Sequence, residues 1–430
     1  MVDQLVIIGL IVFVILILLE VPMPFAMIAS TLIYTIANGQ SFVMFAQRTS
    51  ASFADYTLLA IPAFMFVGCF MNEIGLTKLI FDFCGKMIGH IPGGLAHANI
   101  IASMVFAGMS GSALADAGGL GNIEIRAMKD AGYDPEFSVA VTSASSTIGP
   151  IIPPSINFVV YSFMTQCSSV AMFIGGLIPG VLMGVSMMAL VYFEVKYRGI
   201  KAPVTAKASN KERLKSFWHA LPALTAPILL MIGVLTGVMT TTETGVAAGA
   251  YCILLSIYYR KLNMKMLVRA LKQTMTTTVM TVFLIGTGAV FNWMLITGGV
   301  TDFLANWLLS FNSVAITLLV LNIVLIFLGC FMGSMSILIM VAPLLVDIAN
   351  ACGLNVIHLG VVAVLNMTIS LITPPMAPSL FTACRVSNVD FAGSVKRVLP
   401  FMIPLVVTLL LITYIPGFVT WLPSILGFIS

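Results

Sequence analysis

Long stretches without a charged residue are the feature that most limits what this chain can fold into. No charged side chain occurs between Glu136 and Glu194. Only 8% of the 430 residues are charged and 60% are hydrophobic, whereas soluble globular chains carry about 25% charged residues. Because a soluble fold could not remove this much apolar surface from water, we expect an all-α polytopic membrane protein, in which helices satisfy their own backbone hydrogen bonds.

Sequence signatures of enzymes are absent. The chain has no HExxH, Walker A or GxSxG motif, which would indicate metal-dependent, nucleotide-dependent or serine hydrolysis. The four histidines share no metal-ligand spacing, and the seven scattered cysteines form no CxxC pair, as is typical of small packing residues. We therefore predict no enzyme activity, no organic cofactor and no nucleic-acid partner.

An internal repeat is visible in the glycines and prolines. A shift of 221 positions places Gly108 on Gly329, Pro153-Pro154 on Pro374-Pro375 and Pro179 on Pro400. We interpret the chain as two homologous halves, 1–200 and 216–430, joined by a polar linker at 201–215. Spans are predicted near 4–19, 24–38, 57–75, 170–194, 220–238, 243–259, 274–297 and 395–415.

Each half holds two longer regions that need another explanation. The regions 93–131 and 313–351 have a glycine-serine break in the middle and are predicted to be re-entrant hairpins. The regions 136–166 and 357–384 contain the double prolines and are predicted to be broken helices that cross. Each half then crosses an odd number of times, so the halves have opposite orientations.

The basic residues support this threading. With the N-terminus outside, nineteen of the 20 Lys and Arg residues fall inside and only Arg48 falls outside, as the positive-inside rule expects. Both termini are thus predicted to be periplasmic and the linker cytoplasmic. Inverted halves with broken helices are typical of secondary transporters that bind substrate and ions near the midplane.

The broken segments, 148–155 and 369–376, supply candidate ligands. Prolines prevent a continuous helix, and unwound carbonyls in lipid must line a cavity or bind something. Carbonyl and hydroxyl oxygens suit Na⁺, so we single out the hydroxyls of Thr147, Ser155, Ser370, Thr373 and Ser379. The alternative is a simple proline kink. A single double proline would favour that alternative, whereas two double prolines at repeat-related positions make it less favoured.

The hairpin tips, 108–116 and 329–336, face these segments in the predicted topology. Their hydroxyls could bind an anion or an ion, at Ser110, Ser112, Ser334 and Ser336. Asp116 is an intramembrane carboxylate and therefore a candidate cation ligand or proton carrier. Helix-packing glycine and serine, and a structural carboxylate, are the alternatives. Candidate substrate contacts are Ser110, Ser112, Asp116, Ser155, Asn157, Ser334, Pro375 and Met376.

Three amphipathic stretches, 76–91, 262–272 and 300–309, are expected to lie at the membrane interface or to connect spans. Glu243 follows three threonines at the start of a predicted span. It is expected to be a helix cap or an interface residue.

Four motifs resemble a known family. GSALAD at 111–116, GNIEIRAMKDAGYD at 121–134, IGPIIPPS at 148–155 and ITPPMAPSLF at 372–381 are similar to the large, DctM-type membrane subunit of tripartite ATP-independent periplasmic (TRAP) transporters. The resemblance covers essentially the whole chain.

The resemblance implies an elevator-type transporter of the bacterial inner membrane. Such a protein would couple two or more Na⁺ to uptake of a small organic acid anion: a dicarboxylate, a sugar acid such as sialic acid, or a sulfonate. It also implies a small four-helix membrane subunit and a periplasmic substrate-binding protein as partners. The implied Na⁺ ligands are Ser110, Ser112, Gly149 and Pro150 in the first half, and Gly333, Ser336, Thr373 and Pro374 in the second.

Two departures from the family pattern stand out. Many relatives have an aspartate at the second tip, where this chain has Gly333, and Arg126 replaces a more usual neutral residue. The two ion sites are therefore expected to differ, the second using neutral oxygens. The alternative function is an ion-coupled antiporter or oxyanion exporter of related fold that works without a binding protein.

Overall fold

The computed structural model describes residues 3–204, 206–311 and 313–429, and within these ranges the chain is helical without β-strands. The first half contains α1 to α11. These are Gln4–Leu18, Met23–Ala37, Phe42–Phe53, Ala60–Glu73, Leu76–Ile88, Gly94–Ser110, Ala113–Ala115, Gly121–Asp130, Pro135–Ser146, Ile156–Thr165 and Ser169–Tyr197. A 3₁₀ turn, Tyr56–Leu59, precedes α4, and a π turn, Asp116–Leu120, joins α7 to α8.

The second half contains α12 to α21. These are Asn210–Leu235, Thr241–Tyr258, Met264–Thr297, Val300–Leu309, Val314–Gly329, Ser334–Cys352, Val356–Ser370, Pro378–Ser387, Phe391–Tyr414 and Gly417–Ile425. Between α11 and α12 the described residues of the predicted linker form no helix until Asn210. α12 starts with a capping box, in which Ser209 and Glu212 satisfy each other's backbone N–H. This is a common way to start a helix.

Six helices are long and apolar enough to cross a membrane among the residues that the structure describes. The 3₁₀ turn with α4, α11, α12, α14 and α20 coincide with predicted spans, whereas the sixth, α17, was predicted to be a hairpin arm. The predicted spans 4–19 and 24–38 are the shorter apolar helices α1 and α2. The prediction of an all-α polytopic membrane protein is confirmed.

One expectation about the amphipathic stretches is wrong. Residues 262–272 do not form a separate interface helix, because Met264–Thr297 is a single helix of 34 residues. No proline occurs in it and no glycine precedes Gly286, so nothing ends the helix after the basic stretch. The other two stretches are separate helices, α5 and α15, and Glu243 caps α13 with Thr240, as expected.

The helices pack into two groups, each with members from both halves. Group A comprises α1–α5 and α12–α15, and group B comprises α6–α11 and α16–α21. The groups meet mainly where α4, α5 and α12 pack on α6, and where α14 and α15 pack on α17. Both predicted hairpins and both predicted broken helices lie in group B, so the candidate ligands of the two halves share one body of helices.

Candidate functional site

Both double prolines separate two helices. The first pair lies between the end of α9 at Ser146 and the start of α10 at Ile156. The second lies between the end of α18 at Ser370 and the start of α19 at Pro378. The peptide bonds Pro153-Pro154 and Pro374-Pro375 are cis. A proline kink would bend one continuous helix, so the chain is broken here, as the sequence predicted.

The first hairpin tip lies directly against the first broken segment. A Cβ added to Gly149 would lie 3.2 Å from the carbonyl carbon of Ser112 and 3.3 Å from the backbone nitrogen of Ala113. Gly111, with φ +58°, separates α6 from α7, and a Cβ there would lie 2.6 Å from the carbonyl oxygen of Pro154. Backbone therefore meets backbone, which only glycine permits at this distance.

The second tip makes the corresponding contact, and the helices next to the two breaks touch each other. Gly329, at the end of α16, packs against the side chain of Ser370. The hydroxyls of Ser146 and Ser379, which come from different halves, form a buried hydrogen bond of 2.6 Å. Each tip thus packs against the break of its own half, and the helices that flank the two breaks are in contact.

A cavity of about 170 Å³ lies where these segments meet group A. Four predicted ligands line it: Ser112, Pro150, Asn157 and Ser334. Leu371 of the second broken segment also contributes. No lining residue is charged, so the polar groups that face the cavity are hydroxyls, an amide and backbone.

Group A supplies three cavity residues that the sequence interpretation missed, two of them polar. Thr277 and Thr281 of α14 lie on the cavity wall together with Met65 of α4. The two threonines are four residues apart and so share one face of the helix. A run of threonines in an otherwise apolar span was the available signal.

Several predicted substrate contacts lie elsewhere. The hydroxyl of Ser155 donates to the carbonyl of Pro150 at 2.5 Å and caps α10 by accepting from Phe158 N–H at 3.2 Å, so it stabilises the break. Pro375 and Met376 are exposed and do not line the cavity. Ser110 and Ser336 are buried and do not line the cavity. Ser155, Pro375 and Met376 therefore do not line the cavity that Ser112 lines.

The hydroxyls proposed as ion ligands keep acceptor capacity. Thr147 donates to the carbonyl of Ala144 at 2.6 Å, Ser370 to that of Met367 at 2.6 Å, and Thr373 to that of Ile369 at 2.8 Å. A hydroxyl that donates its hydrogen still has lone pairs. Each oxygen therefore remains able to coordinate a hard cation such as Na⁺.

Two carboxylates are buried in the first hairpin. Asp116 is 1% exposed and Glu124 is 0% exposed, and none of their four oxygens has a hydrogen-bond partner among the described residues. Asp116 begins the π turn, a distortion often found at functional sites, but it does not line the cavity. The sequence singled out Asp116 and missed Glu124, whose burial depends on how α8 packs on α9.

The second half contains a buried network of neutral side chains. Asn366 of α18 donates to the side-chain oxygen of Asn322 at 2.8 Å, and Asn322 donates to Thr413 at 3.1 Å. No acid stands at Gly333 in the second tip. The two halves therefore differ in charge around otherwise similar breaks.

Comparisons with known proteins identify the family of the chain. Residues 10–418 match the family described as tripartite ATP-independent periplasmic transporter, DctM component. The chain belongs to this family. The sialic acid TRAP transporter large permease protein SiaM of Vibrio cholerae is 37% identical over 94% of this chain and 95% of its own. The C4-dicarboxylate TRAP transporter large permease protein DctM of Pseudomonas aeruginosa is 35% identical over 86% of this chain and 87% of its own.

The fold has a more distant likeness. The structure of the YdaH transporter from Alcanivorax borkumensis, reported to have an unusual topology, superposes with a TM-score of 0.63 over 89% of both chains at 16% identity. At this identity the likeness concerns the fold alone. Together with the long apolar helices, the family makes this chain a multi-pass membrane permease subunit.

Proposed function

We propose that this chain is the membrane permease of a tripartite system that takes up a small organic acid anion across the bacterial inner membrane, driven by Na⁺. Family membership supports the class of transporter, and relatives named for sialic acid and for C4-dicarboxylates support the class of substrate. The observation that carries the proposal is the cavity in which both hairpin tips and both broken segments meet group A.

The chemistry of the cavity explains why a cation would be coupled to the anion. Its polar groups, among them Ser112, Asn157 and Thr277, can hydrogen-bond a carboxylate but cannot neutralise it, since no lining residue is charged. An uncompensated charge in a low-dielectric site is costly. Na⁺ held by tip and broken-segment oxygens next to the cavity would offset that charge, and binding of each ion would favour the other.

The residues present fit such ions. Around the first tip, the backbone of Ser112 approaches Gly149 closely, and carbonyls and hydroxyls are the ligands that hard cations prefer. Around the second, Thr373 and Ser370 provide neutral oxygens. In this proposal group B carries the site and moves against group A, in the manner of an elevator.

The test is uptake into proteoliposomes that contain the chain with a small membrane subunit. A binding protein loaded with labelled anion would be added under an inward Na⁺ gradient. We expect uptake only when Na⁺ and the binding protein are both present. Uptake that proceeds equally well without a binding protein would instead favour an antiporter or exporter.

A matched pair of variants links this test to the cavity. Ser112→Ala removes a cavity hydroxyl, whereas Ser256→Ala removes a buried hydroxyl of α13 that bonds only the carbonyl of Ile253, at 2.6 Å. We expect the first variant to lose most uptake and the second to retain it. Equal activity of the two variants would contradict the proposed site.

A further inference from the structure

A second pocket lies between the two helix groups. It is open, has a volume of about 360 Å³ and shares no residue with the cavity described above. Group A contributes Arg48 of α3 and Asn292 and Trp293 of α14, while group B contributes Phe163 of α10 and Pro343 of α17. This volume is within the range of small-molecule sites.

Arg48 gives the pocket a positive charge. Its guanidinium carbon lies 5.2 Å from the centre of the Trp293 ring, a stacking arrangement that holds the group in place. Arg48 forms no salt bridge within the described ranges. An arginine with its fork of donors free is suited to a carboxylate or a sulfonate.

Asn292 gives the pocket an unused acceptor. The residue is 4% exposed, its side-chain nitrogen donates to the carbonyl of Ile339, and its side-chain oxygen has no partner among the residues described. A buried acceptor left without a partner costs about 1–3 kcal/mol. A ligand with a hydroxyl or an amide N–H would remove that cost, and a fully deprotonated simple dicarboxylate would not.

The pocket is formed by residues that the predicted topology places towards one side of the membrane. Arg48 is the single basic residue predicted outside, and Phe163 lies near the predicted outer end of α10, as Trp293 does near that of α14. A binding protein would deliver the anion on this side. In the predicted topology, the pocket is therefore on the side from which a binding protein would deliver the anion.

We propose that this pocket is an entry site, which binds the acidic group of the anion at Arg48 and selects anions that also carry a hydroxyl or amide donor for Asn292. The inference rests on the proposed function for its direction of transport. It adds a second binding site, with its own preference among substrates, to the cavity between the hairpin tips and the broken segments.

The experiment uses the fluorescence of Trp293 in the purified chain, without Na⁺ and without a binding protein. The probes are two pairs that differ by one hydroxyl, malate with succinate and isethionate with ethanesulfonate, together with N-acetylneuraminate. We expect each hydroxylated member to change the fluorescence at a concentration about tenfold lower than its partner, as one satisfied hydrogen bond would give. Trp293→Phe should abolish the response, and Trp307→Phe should not.

Two arginine variants test the charge. Arg48→Gln should weaken binding of every probe by about tenfold or more, because a charge-assisted hydrogen bond is lost. Arg260→Gln is the matched control, since Arg260 is exposed and forms no salt bridge within the described ranges but lies on the predicted cytoplasmic side. The comparison of probe pairs needs no variant at Asn292, so it holds even if such a variant does not fold.

Three results would overturn the entry site. These are an unchanged affinity in Arg48→Gln, no difference within either probe pair, or no response of Trp293 to any probe at millimolar concentration. If Arg48→Gln reduced uptake while no anion affected Trp293, Arg48 would contact the binding protein instead. Failure of the proposed function is distinct: fluorescence would report binding while no anion entered proteoliposomes under a Na⁺ gradient.

Discussion

Gly111 connects the first hairpin tip to the first broken segment through its backbone. Its φ of +58° is unfavourable for any other residue, and an added Cβ would lie 2.6 Å from the carbonyl oxygen of Pro154. Left-handed backbone costs a residue with a Cβ about 1–2 kcal/mol. The collision with the broken segment adds to that cost, because the obstacle is backbone and cannot rotate away.

We predict that Gly111→Ala lowers the unfolding temperature in detergent and abolishes uptake. Gly39→Ala is the control, because Gly39 has φ +65° and no atom within 4 Å of an added Cβ. It carries the same conformational cost without the collision. Equal losses in the two variants would show that the contact with Pro154 does not matter.

Asp116 and Glu124 are the two carboxylates buried in the first hairpin. Both side chains are buried and lack partners among the described residues, and an ionisable residue inside the membrane is by default a candidate for a functional site. A bound cation would satisfy their oxygens.

We predict that Asp116→Asn, which preserves shape and removes the charge, raises the Na⁺ concentration for half-maximal uptake by about tenfold, equivalent to about 1.4 kcal/mol. The measurement is the Na⁺ dependence of initial uptake rates. The unfolding temperature should not fall, since no hydrogen bond is lost. An unchanged Na⁺ dependence would make Asp116 a structural residue.

At the scale of elements, α14 presents one polar face to the site. Thr276, Thr277 and Thr281 each donate to the carbonyl four residues earlier, at 2.9, 3.0 and 3.0 Å. Only Thr277 and Thr281 line the cavity. The three threonines therefore differ in position but not in local bonding.

We expect Thr277→Val and Thr281→Val to raise KM for the anion, because valine keeps the shape of threonine and cannot bond to a carboxylate. Thr276→Val should leave KM unchanged, since it loses the same intrahelical bond away from the cavity. Uptake kinetics in proteoliposomes would separate the variants. A comparable rise in KM for Thr276→Val would attribute the effect to α14 itself.

At the scale of the whole molecule, the predicted orientation of the chain in the membrane can be measured directly. Ser50 and Lys207 are exposed and lie on opposite sides in the predicted topology. A membrane-impermeant maleimide should label Ser50→Cys in intact spheroplasts and label Lys207→Cys only after permeabilisation. The parent chain, with its own seven cysteines, is the control. Labelling of both positions from outside would reject the inverted arrangement of halves.

A disulfide cross-link can test whether group B moves relative to group A during uptake. A Cβ added to Gly288 of α14 would lie 3.5 Å from the Cβ of Ile339 of α17, a separation that a disulfide can bridge. We predict that Gly288→Cys with Ile339→Cys stops uptake when oxidised and recovers it when reduced. Full activity of the cross-linked protein would show that α17 need not move past α14.

Much of the architecture could be predicted because it depends on local chemistry. Proline removes a backbone donor wherever it occurs, so both helix breaks were visible in the sequence. The tip at Gly111 was predicted for a similar local reason. The merging of residues 262–272 into α14 was missed because an amphipathic stretch followed by an apolar one can bend or continue, and neighbouring helices decide which.

The sequence by itself determined that this chain is a helical membrane protein, where its helices break and to which family it belongs, since these follow from solvent preference and from the backbone chemistry of each residue. Only the tertiary structure decided which of the candidate ligands share a cavity. Ser112, Asn157 and Ser334 meet Thr277 there, while Ser155 is used as a cap and Met376 faces outward. Side-chain direction and contacts between distant helices depend on packing, which no single segment encodes.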